Sequence, residues 1–303
     1  MLVYDSYYTM RKKYTISVLL LFVIGSIASC TSGCVTIKYF GSSGSIDLPR
    51  KSFTQIQHAV TLEACQFDPE TKKEKCQKAV GRSVSSGAYV FISEVSYDVA
   101  YVLTAGHSCQ NKVAKKRMVD GYLIKNLGSE FRVVNLDGSS NKAEVVSINK
   151  RYDLCLLRIS NVLIKRPTLK TAKNPPKPGE EAYNMAAPHG LFWPNSVLLF
   201  RGLFSGYHTS GYSVYTIPTK PGSSGSPILN KAGELIGVIF AGYPSMENIG
   251  LSSPLVAIKV FLKKSIALGE MQLWEQNNRP AKGKTTIGRW MKDLNIKLQS
   301  HFE

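Results

Sequence analysis

Sequence patterns that bind metal ions or nucleic acids are missing from this chain. The six cysteines form no Cys-x-x-Cys pair, and no group of histidines and cysteines has the spacing of a zinc site. An RNP-like motif and a dense arginine-rich block are absent as well. The sequence therefore predicts no metal and no organic cofactor, and it argues against a nucleic-acid-binding protein.

Acidic residues are scarce. The 303 residues include 21 Asp and Glu against 38 Lys and Arg, which gives a net charge of +17. This charge suggests an anionic neighbour, either a membrane surface or a nucleic acid, although a solvated basic surface is the simpler explanation. Hydrophobic residues make up 44% of the chain, which is enough for a sizeable core and excludes a mostly disordered protein.

No apolar run near the N-terminus reaches the roughly 20 residues of an ordinary membrane span. The run 16–24 is shorter and follows three basic residues at 11–13, which is the pattern of a signal peptide. It ends in Ile-Ala-Ser-Cys at 27–30, which resembles a bacterial lipobox and predicts that Cys30 is lipidated.

The N-terminal segments follow from this pattern. We expect residues 1–29 to be a lipoprotein signal peptide and residues 30–55 a tether; a signal anchor extending to about Val35 is the alternative. Both place the rest of the chain outside the cytoplasm and at a membrane, in the periplasm or cell envelope of a bacterium. Whether the gene is bacterial or carried by a phage stays open, and so does the oligomeric state.

Short apolar runs separated by Gly, Pro, Asn and Asp turns begin at about residue 84. This pattern predicts an all-β sandwich or barrel. A proline-rich joint near 170–180 divides the runs into two groups of similar size. The predicted strands are 88–93, 99–103, 131–135, 143–148, 155–159, 182–187, 196–200, 211–217, 227–229 and 235–240.

A helix is predicted over 254–267. Ser253 is a suitable N-cap, Pro254 suits the first helical position, and Gly269 is a stop signal. We expect the main domain to span 56–268 and a basic amphipathic tail to span 269–303. The apolar stripe of the tail either contacts a membrane surface or packs back on the domain.

Three short motifs carry possible chemistry. The first is Thr-Ala-Gly-His at 104–107, where an apolar strand runs into a turn that presents His107 at a cleft. The second is Asp153, which directly precedes an apolar strand and is placed to orient an imidazole. The third is Gly-Ser-Ser-Gly-Ser-Pro at 222–227, a tight loop with the residue types of an oxyanion hole. Each motif alone is ordinary structure.

Together, in the order His, Asp, Ser, the motifs resemble the chymotrypsin-like serine peptidases, most closely the trypsin-like peptidases of Deg/HtrA type, over roughly 84–265. The resemblance implies two antiparallel six-stranded barrels with the site between them and a C-terminal helix. It implies that Ser224 is the nucleophile, His107 the general base and then acid, and Asp153 its orienting carboxylate. It also implies that the backbone N–H groups of Gly222 and Ser224 bind the oxyanion.

The substrate-binding residues are transferred in the same way. Phe240, Ala241 and Gly242 correspond to the edge strand that pairs with the substrate backbone. Pro218 stands at the floor of the specificity pocket where a carboxylate would select Lys or Arg, so we expect a small or apolar P1 residue. We expect no PDZ module, because no second domain of about 90 residues follows the predicted helix in this sequence, and this argues against a regulated chaperone-protease.

Two disulfide bonds are predicted in the oxidising compartment. Cys65 and Cys76 bracket a short polar turn segment and suit a local bridge. Cys109 and Cys155 each lie two residues after a catalytic position, and we expect them to pair on neighbouring strands. Cys34 is then left over.

The sequence predicts a membrane-tethered serine endopeptidase that acts on protein or peptide substrates. The alternative is a catalytically inactive module of the same fold that binds at an envelope surface. A third hypothesis makes the basic surface the main function, as a binder of nucleic acid or anionic envelope.

Overall fold

Two antiparallel β-barrels account for most of the computed structural model, which describes residues 46–68, 73–91, 99–110, 116–119, 122–162 and 164–277. The predicted signal peptide, Cys30, most of the predicted tether and the tail from 278 onward lie outside the described residues.

The first barrel uses the N-terminal strands. They are β1 (Phe53–Asp68), β2 (Lys73–Tyr89), β3 (Val99–Ala105), β4 (Lys116–Val119), β5 (Tyr122–Asn135), β6 (Ser140–Asn149) and β7 (Leu154–Ser160). Six of them pair in the order β1-β2-β3-β7-β6-β5, and a β1–β5 pairing closes the barrel. Strand β4 adds to the outer part of β5.

The second barrel follows the proline-rich joint. Its strands are β8 (Glu181–Ala186), β9 (Leu198–Tyr207), β10 (Ser213–Tyr215), β11 (Pro227–Leu229), β12 (Leu235–Tyr243) and β13 (Met246–Pro254). They close in the order β10-β13-β12-β11-β8-β9. The expected fold of two six-stranded antiparallel barrels is therefore confirmed.

Strand β7 shows why the sequence of this fold has continuous apolar runs. Leu154 and Leu156 face a core cluster that also contains residues of the second barrel. Cys155, Leu157 and Ile159 face the interior of the first barrel. Because both faces of the strand are buried, its pattern is a run rather than an alternation.

A long β1–β2 hairpin extends the first barrel, and the sequence pattern did not reveal it. The two strands pair without a register shift from Phe53↔Ala88 to Asp68↔Lys73. The residues of β2 from 73 to 84 are all exposed, so they lack the half-buried alternation by which a strand is found in sequence.

The C-terminal helix differs from its predicted bounds. Strand β13 continues to Pro254, and α2 spans Leu255–Asn277, past Gly269. The Ser253 hydroxyl donates to the Tyr152 carbonyl oxygen at 2.6 Å instead of capping the helix. Gly269 permits close packing on the first barrel, because an added Cβ would lie 3.0 Å from the Tyr101 hydroxyl oxygen. Tertiary packing therefore overrides this stop signal.

The largest core cluster joins both barrels and α2. It includes Leu154 of the first barrel, Met185 of the second and Ile258 of the helix, all fully buried. Within the described residues, no helix has the length and apolar content needed to span a membrane.

Candidate active site

His107 and Asp153 form the best-defined part of the site. His107 lies in the short helix α1 (Gly106–Cys109) at the end of β3. Its Nδ1 lies 2.5 Å from Asp153 Oδ2, and its backbone N–H donates to Asp153 Oδ1 at 2.7 Å. Gly106 donates its N–H to the Asp153 carbonyl oxygen at 2.8 Å. With Nδ1 bound to the carboxylate, the opposite ring nitrogen, Nε2, is left to accept or donate a proton.

The backbone around Asp153 is held from the second barrel and from α1. Asp153 adopts a left-handed φ of 50° at the start of β7. The Ser253 hydroxyl bonds the Tyr152 carbonyl oxygen, and the Tyr212 hydroxyl bonds the Arg151 carbonyl oxygen at 3.1 Å. An added Cβ on Gly106 would lie 2.9 Å from Asp153 Oδ1, so a glycine is needed at this close approach. No local sequence pattern marks Ser253 or Tyr212 for this role.

The loop 220–226, which we call the Ser224 loop, depends on two glycines. Gly222 has a φ of 95° and Gly225 a φ of 86°, a region that side chains disfavour. An added Cβ on Gly225 would lie 2.1 Å from both the Ser86 carbonyl oxygen and Thr104 Oγ1. The loop therefore lies directly against β2 and β3 of the first barrel.

Ser86 fixes the Ser224 loop to the first barrel. Its backbone N–H donates to the Ser224 carbonyl oxygen at 2.8 Å, and its hydroxyl donates to the Gly222 carbonyl oxygen at 2.9 Å. The Thr104 hydroxyl in turn donates to the Ser86 carbonyl oxygen at 2.7 Å. Ser86 is fully buried. Sequence reasoning missed this role because the partners lie more than 130 positions away.

Two backbone N–H groups of the Ser224 loop have no acceptor among the described residues, namely those of Gly222 and Ser224. The Pro221 carbonyl oxygen accepts from the His189 N–H at 2.5 Å. Since the C=O and N–H of a trans peptide point in opposite directions, the Gly222 N–H points away from His189. These two N–H groups are the donors expected for an oxyanion hole.

A cleft of about 390 Å³ contains both His107 and Ser224. Its lining comes from the two barrels and consists of His58, Val60, Ser83, Val84, Ser85, His107, Ser108, Gln110, Pro221, Gly222 and Ser224. No described hydrogen bond joins the Ser224 hydroxyl to His107, which is common in sites without substrate. The structure thus brings His107, Asp153 and Ser224 to one place.

His58 also lines the cleft. It stacks on Phe131 with ring centroids 4.1 Å apart, and its burial lowers the pKa of the imidazole. The His58 ring, stacked on Phe131, therefore forms part of the wall of the cleft.

The predicted substrate-binding residues lie on the other side of the Ser224 loop and do not line this cleft. The Gly225 N–H donates to the Ile239 carbonyl oxygen at 2.7 Å, which places the following residues of β12, Phe240 to Gly242, beside the loop. Thr219 packs closely against two glycines. A Cβ added to Gly242 would lie 3.3 Å from the Thr219 carbonyl oxygen, and a Cβ added to Gly250 would lie 2.8 Å from Thr219 Oγ1. Thr219, next to Pro218, therefore fills the space that faces this strand.

Lys220, the first residue of the Ser224 loop, forms an ion pair with Glu247. Its Nζ lies 2.6 Å from Glu247 Oε1 on β13. The Lys220 hydrogen bond and charge lower the pKa of the Glu247 carboxyl. The Glu247 carboxylate is therefore held by Lys220.

Both predicted disulfide bonds are present. Cys65 and Cys76 join β1 to β2 in the exposed hairpin. Cys109 and Cys155 join α1 to β7, with a Cα–Cα distance of 6.4 Å. The sequence had suggested that both cysteines lie on neighbouring strands. Cys109 instead lies in the short helix α1, which begins at Gly106.

Comparison with known proteins agrees with this architecture. The family model of the trypsin-like peptidase domain matches residues 86–238, just over half of the chain. The chain belongs to this family. This trypsin-like domain is similar to a probable periplasmic serine endoprotease, DegP-like, of Pseudomonas fluorescens, with 27% identity over 128 residues. The match covers 39% of this chain and 26% of the relative. The chain thus spans about a quarter of the length of that curated relative.

Two solved structures are similar to this trypsin-like domain. The serine endoprotease from Yersinia pestis has a TM-score of 0.48 and 18% identity, covering 68% of this chain and 62% of its own. The HtrA-type protease AlgW, solved with a tripeptide, has a TM-score of 0.48 and 17% identity, covering 70% and 60%.

Proposed function

We propose that this protein is a serine endopeptidase in which Ser224 attacks the peptide carbonyl. His107, oriented by Asp153, takes the hydroxyl proton and returns it to the leaving amine. The N–H groups of Gly222 and Ser224 stabilise the oxyanion of the tetrahedral intermediate. Water then hydrolyses the acyl-enzyme by the same route in reverse. The observation that carries the proposal is the His107–Asp153 hydrogen bond beside a cleft that also contains Ser224.

We place the substrate residues before the cleaved bond along Phe240, Ala241 and Gly242 of β12, as an added strand. Thr219 and Pro218 limit the space for the P1 side chain, and a small or apolar residue suits it. Glu247 is paired with Lys220, which supports the same preference.

We also propose that the domain acts outside the cytoplasm, held at a membrane through lipidated Cys30. Two disulfide bonds in one chain support an oxidising compartment, and the curated relative is named periplasmic.

Labelling with a fluorophosphonate probe tests the catalytic assignment. We expect the purified protein to be labelled and to hydrolyse casein, and Ser224→Ala to lose both, because only an activated serine attacks the probe. Ser83→Ala is the matched control, since Ser83 is another serine of the same cleft. A folded parent protein that is neither labelled nor active would instead support the inactive binding module.

A further inference from the structure

The β1–β2 hairpin presents a free strand edge that starts at the active-site cleft. Strand β2 pairs with β1 from Lys73 to Ala88, but with β3 only from Gly87 to Tyr89. Before Gly87, no described strand lies on the other edge of β2. All residues of β2 from 73 to 84 are exposed. A row of backbone groups is therefore open to another chain.

The even-numbered residues of β2 supply this row. Ser86 directs its N–H and C=O to the Ser224 loop and Thr104, on the side away from β1. Because the β1–β2 register has no shift, alternate residues repeat this direction, so Val84, Arg82, Val80 and Lys78 face the open edge. None of their backbone groups has a described partner on that side.

The edge continues directly from the cleft. The cleft is lined by Ser83, Val84 and Ser85 of β2 together with Ser224. The residues proposed to bind the substrate before the cleaved bond, 240–242, lie on the other side of the Ser224 loop. The chain after the cleaved bond therefore leaves toward β2, and it runs antiparallel to β2, which itself runs toward the Ser224 loop.

The edge is cationic. Lys75, Lys78 and Arg82 are exposed and have no ion-pair partner among the described residues. Side chains alternate between the two faces of a strand, so Lys78 and Arg82 lie on one face and Lys75 on the other. From Val84 to Lys75 the edge spans about 30 Å, at about 3.3 Å per residue.

We infer that this edge binds the substrate segment that follows the cleaved bond, as an added antiparallel strand, and that it selects segments carrying Asp or Glu. The inference rests on the proposed peptidase function and specifies its substrate class. Pairing with a second copy of this chain through the same edge is disfavoured, because it would bring two rows of cations together.

Peptide binding to the Ser224→Ala protein, which is expected not to cleave the peptide, tests the edge independently of catalysis. The probes are a labelled extended peptide of ~12 residues with three Glu and the same peptide with Gln instead. We expect the Glu peptide to bind about tenfold more tightly at low salt, the gain of three exposed ion pairs, and to lose this gain as salt rises. Fluorescence anisotropy measures both.

A charge reversal with a matched control locates the site. Lys75→Glu, Lys78→Glu and Arg82→Glu, combined, are expected to reverse the preference. Lys173→Glu, Lys177→Glu and Lys264→Glu change the net charge equally at exposed positions elsewhere and are expected to retain it. N-methylation of alternate peptide amides gives the backbone signature: one alternating set abolishes binding and the other does not, because only every second N–H faces β2.

Equal binding of the two peptides, equal loss in both triple variants, or an N-methyl scan without alternation overturns the inference. A concentration-dependent dimer that the peptides do not dissociate would assign the edge to a second copy and also overturn it. Failure of the peptidase proposal is separate, because it shows as an unlabelled Ser224 in the parent protein whatever the peptides do.

Discussion

At the scale of single residues, the candidate site depends on close approaches that leave no room for side-chain atoms. Gly106 lies against Asp153, and Gly225 lies against Ser86 and Thr104. Ser86 adds three hydrogen bonds between the first barrel and the second, two to the Ser224 loop and one from the N–H of Ala187, just after β8. The geometry of the nucleophile is therefore set by small residues around it as much as by the triad.

Gly225→Ala is expected to displace the Ser224 loop and abolish fluorophosphonate labelling. The added Cβ would meet Ser86 and Thr104 at 2.1 Å, in addition to the cost of a positive φ. Gly211→Ala is the matched control, because Gly211 has a φ of 82° and open space around it. We expect this control to lose roughly 1–2 kcal/mol of unfolding free energy and to stay labelled. Equal labelling of the two variants would contradict the argument.

The Asp137 carboxyl makes the unfolding free energy depend on pH. Hydrogen bonds from Arg166 and from Ser139 lower the pKa of the Asp137 carboxyl to about 2, from an ordinary value of 3.8. Because the pKa is lowered in the folded state, the stabilisation is present above about pH 4 and is lost as pH falls toward 2.

Asp137→Asn should therefore lower the unfolding free energy at neutral pH, by less than about 1 kcal/mol because the carboxylate is partly exposed. The difference from the parent protein should shrink below pH 4. Urea unfolding at a series of pH values measures it, with exposed Asp47→Asn as control. A difference that is constant down to pH 2 would contradict the assignment.

At the scale of elements, the two disulfide bonds have different tasks. Cys109 lies in α1, two residues after His107, and Cys155 lies in β7, two residues after Asp153. Their bond therefore holds together the segments that carry the hydrogen-bonded His107–Asp153 pair. The Cys65–Cys76 bond stiffens the exposed hairpin, away from the triad.

Replacing Cys109 and Cys155 by Ala is expected to cost about 4 kcal/mol of unfolding free energy, since the bond closes a separation of 46 residues. Fluorophosphonate labelling should slow as well, because α1 is released from β7. Replacing Cys65 and Cys76 by Ala should cost about 3 kcal/mol for a separation of 11 residues and leave labelling unchanged. Thermal unfolding and labelling rates test both, and a reversed ranking of the labelling rates would refute the division of tasks.

At the scale of the whole molecule, one core makes the two barrels interdependent. The largest cluster contains buried residues of both barrels and of α2. The Ser224 loop belongs to the second barrel, while its hydrogen-bond partner Ser86 belongs to the first. The site therefore exists only where the two barrels pack.

Met185→Ala is expected to lower the unfolding free energy by about 2–5 kcal/mol, because Met185 is fully buried in that shared core. Hydrogen exchange followed by mass spectrometry should show faster exchange in β3 and β7 of the first barrel as well as in β8. Leu199→Ala, at a position 49% exposed, should change neither barrel measurably. Faster exchange confined to the second barrel would show that the barrels unfold independently.

The sequence by itself determined the all-β fold, the two groups of strands and the three motifs, because apolar runs, turn residues and short motifs are local signals. It also predicted both disulfide pairings. The structure brings His107, Asp153 and Ser224 into one site, while the catalytic roles and the lipidation of Cys30 stay proposals. Family membership is established by the match over 86–238.

Only the tertiary structure decided the support of the site and its surroundings. Ser86 contacts Gly222 across 136 positions, a distance over which no periodicity operates. The helix passes Gly269 because Tyr101 and Val146 pack against it. Residues 73–84 of β2 are exposed on both faces, so burial leaves no pattern in that part of the sequence. Its open edge emerges only from the strand pairing.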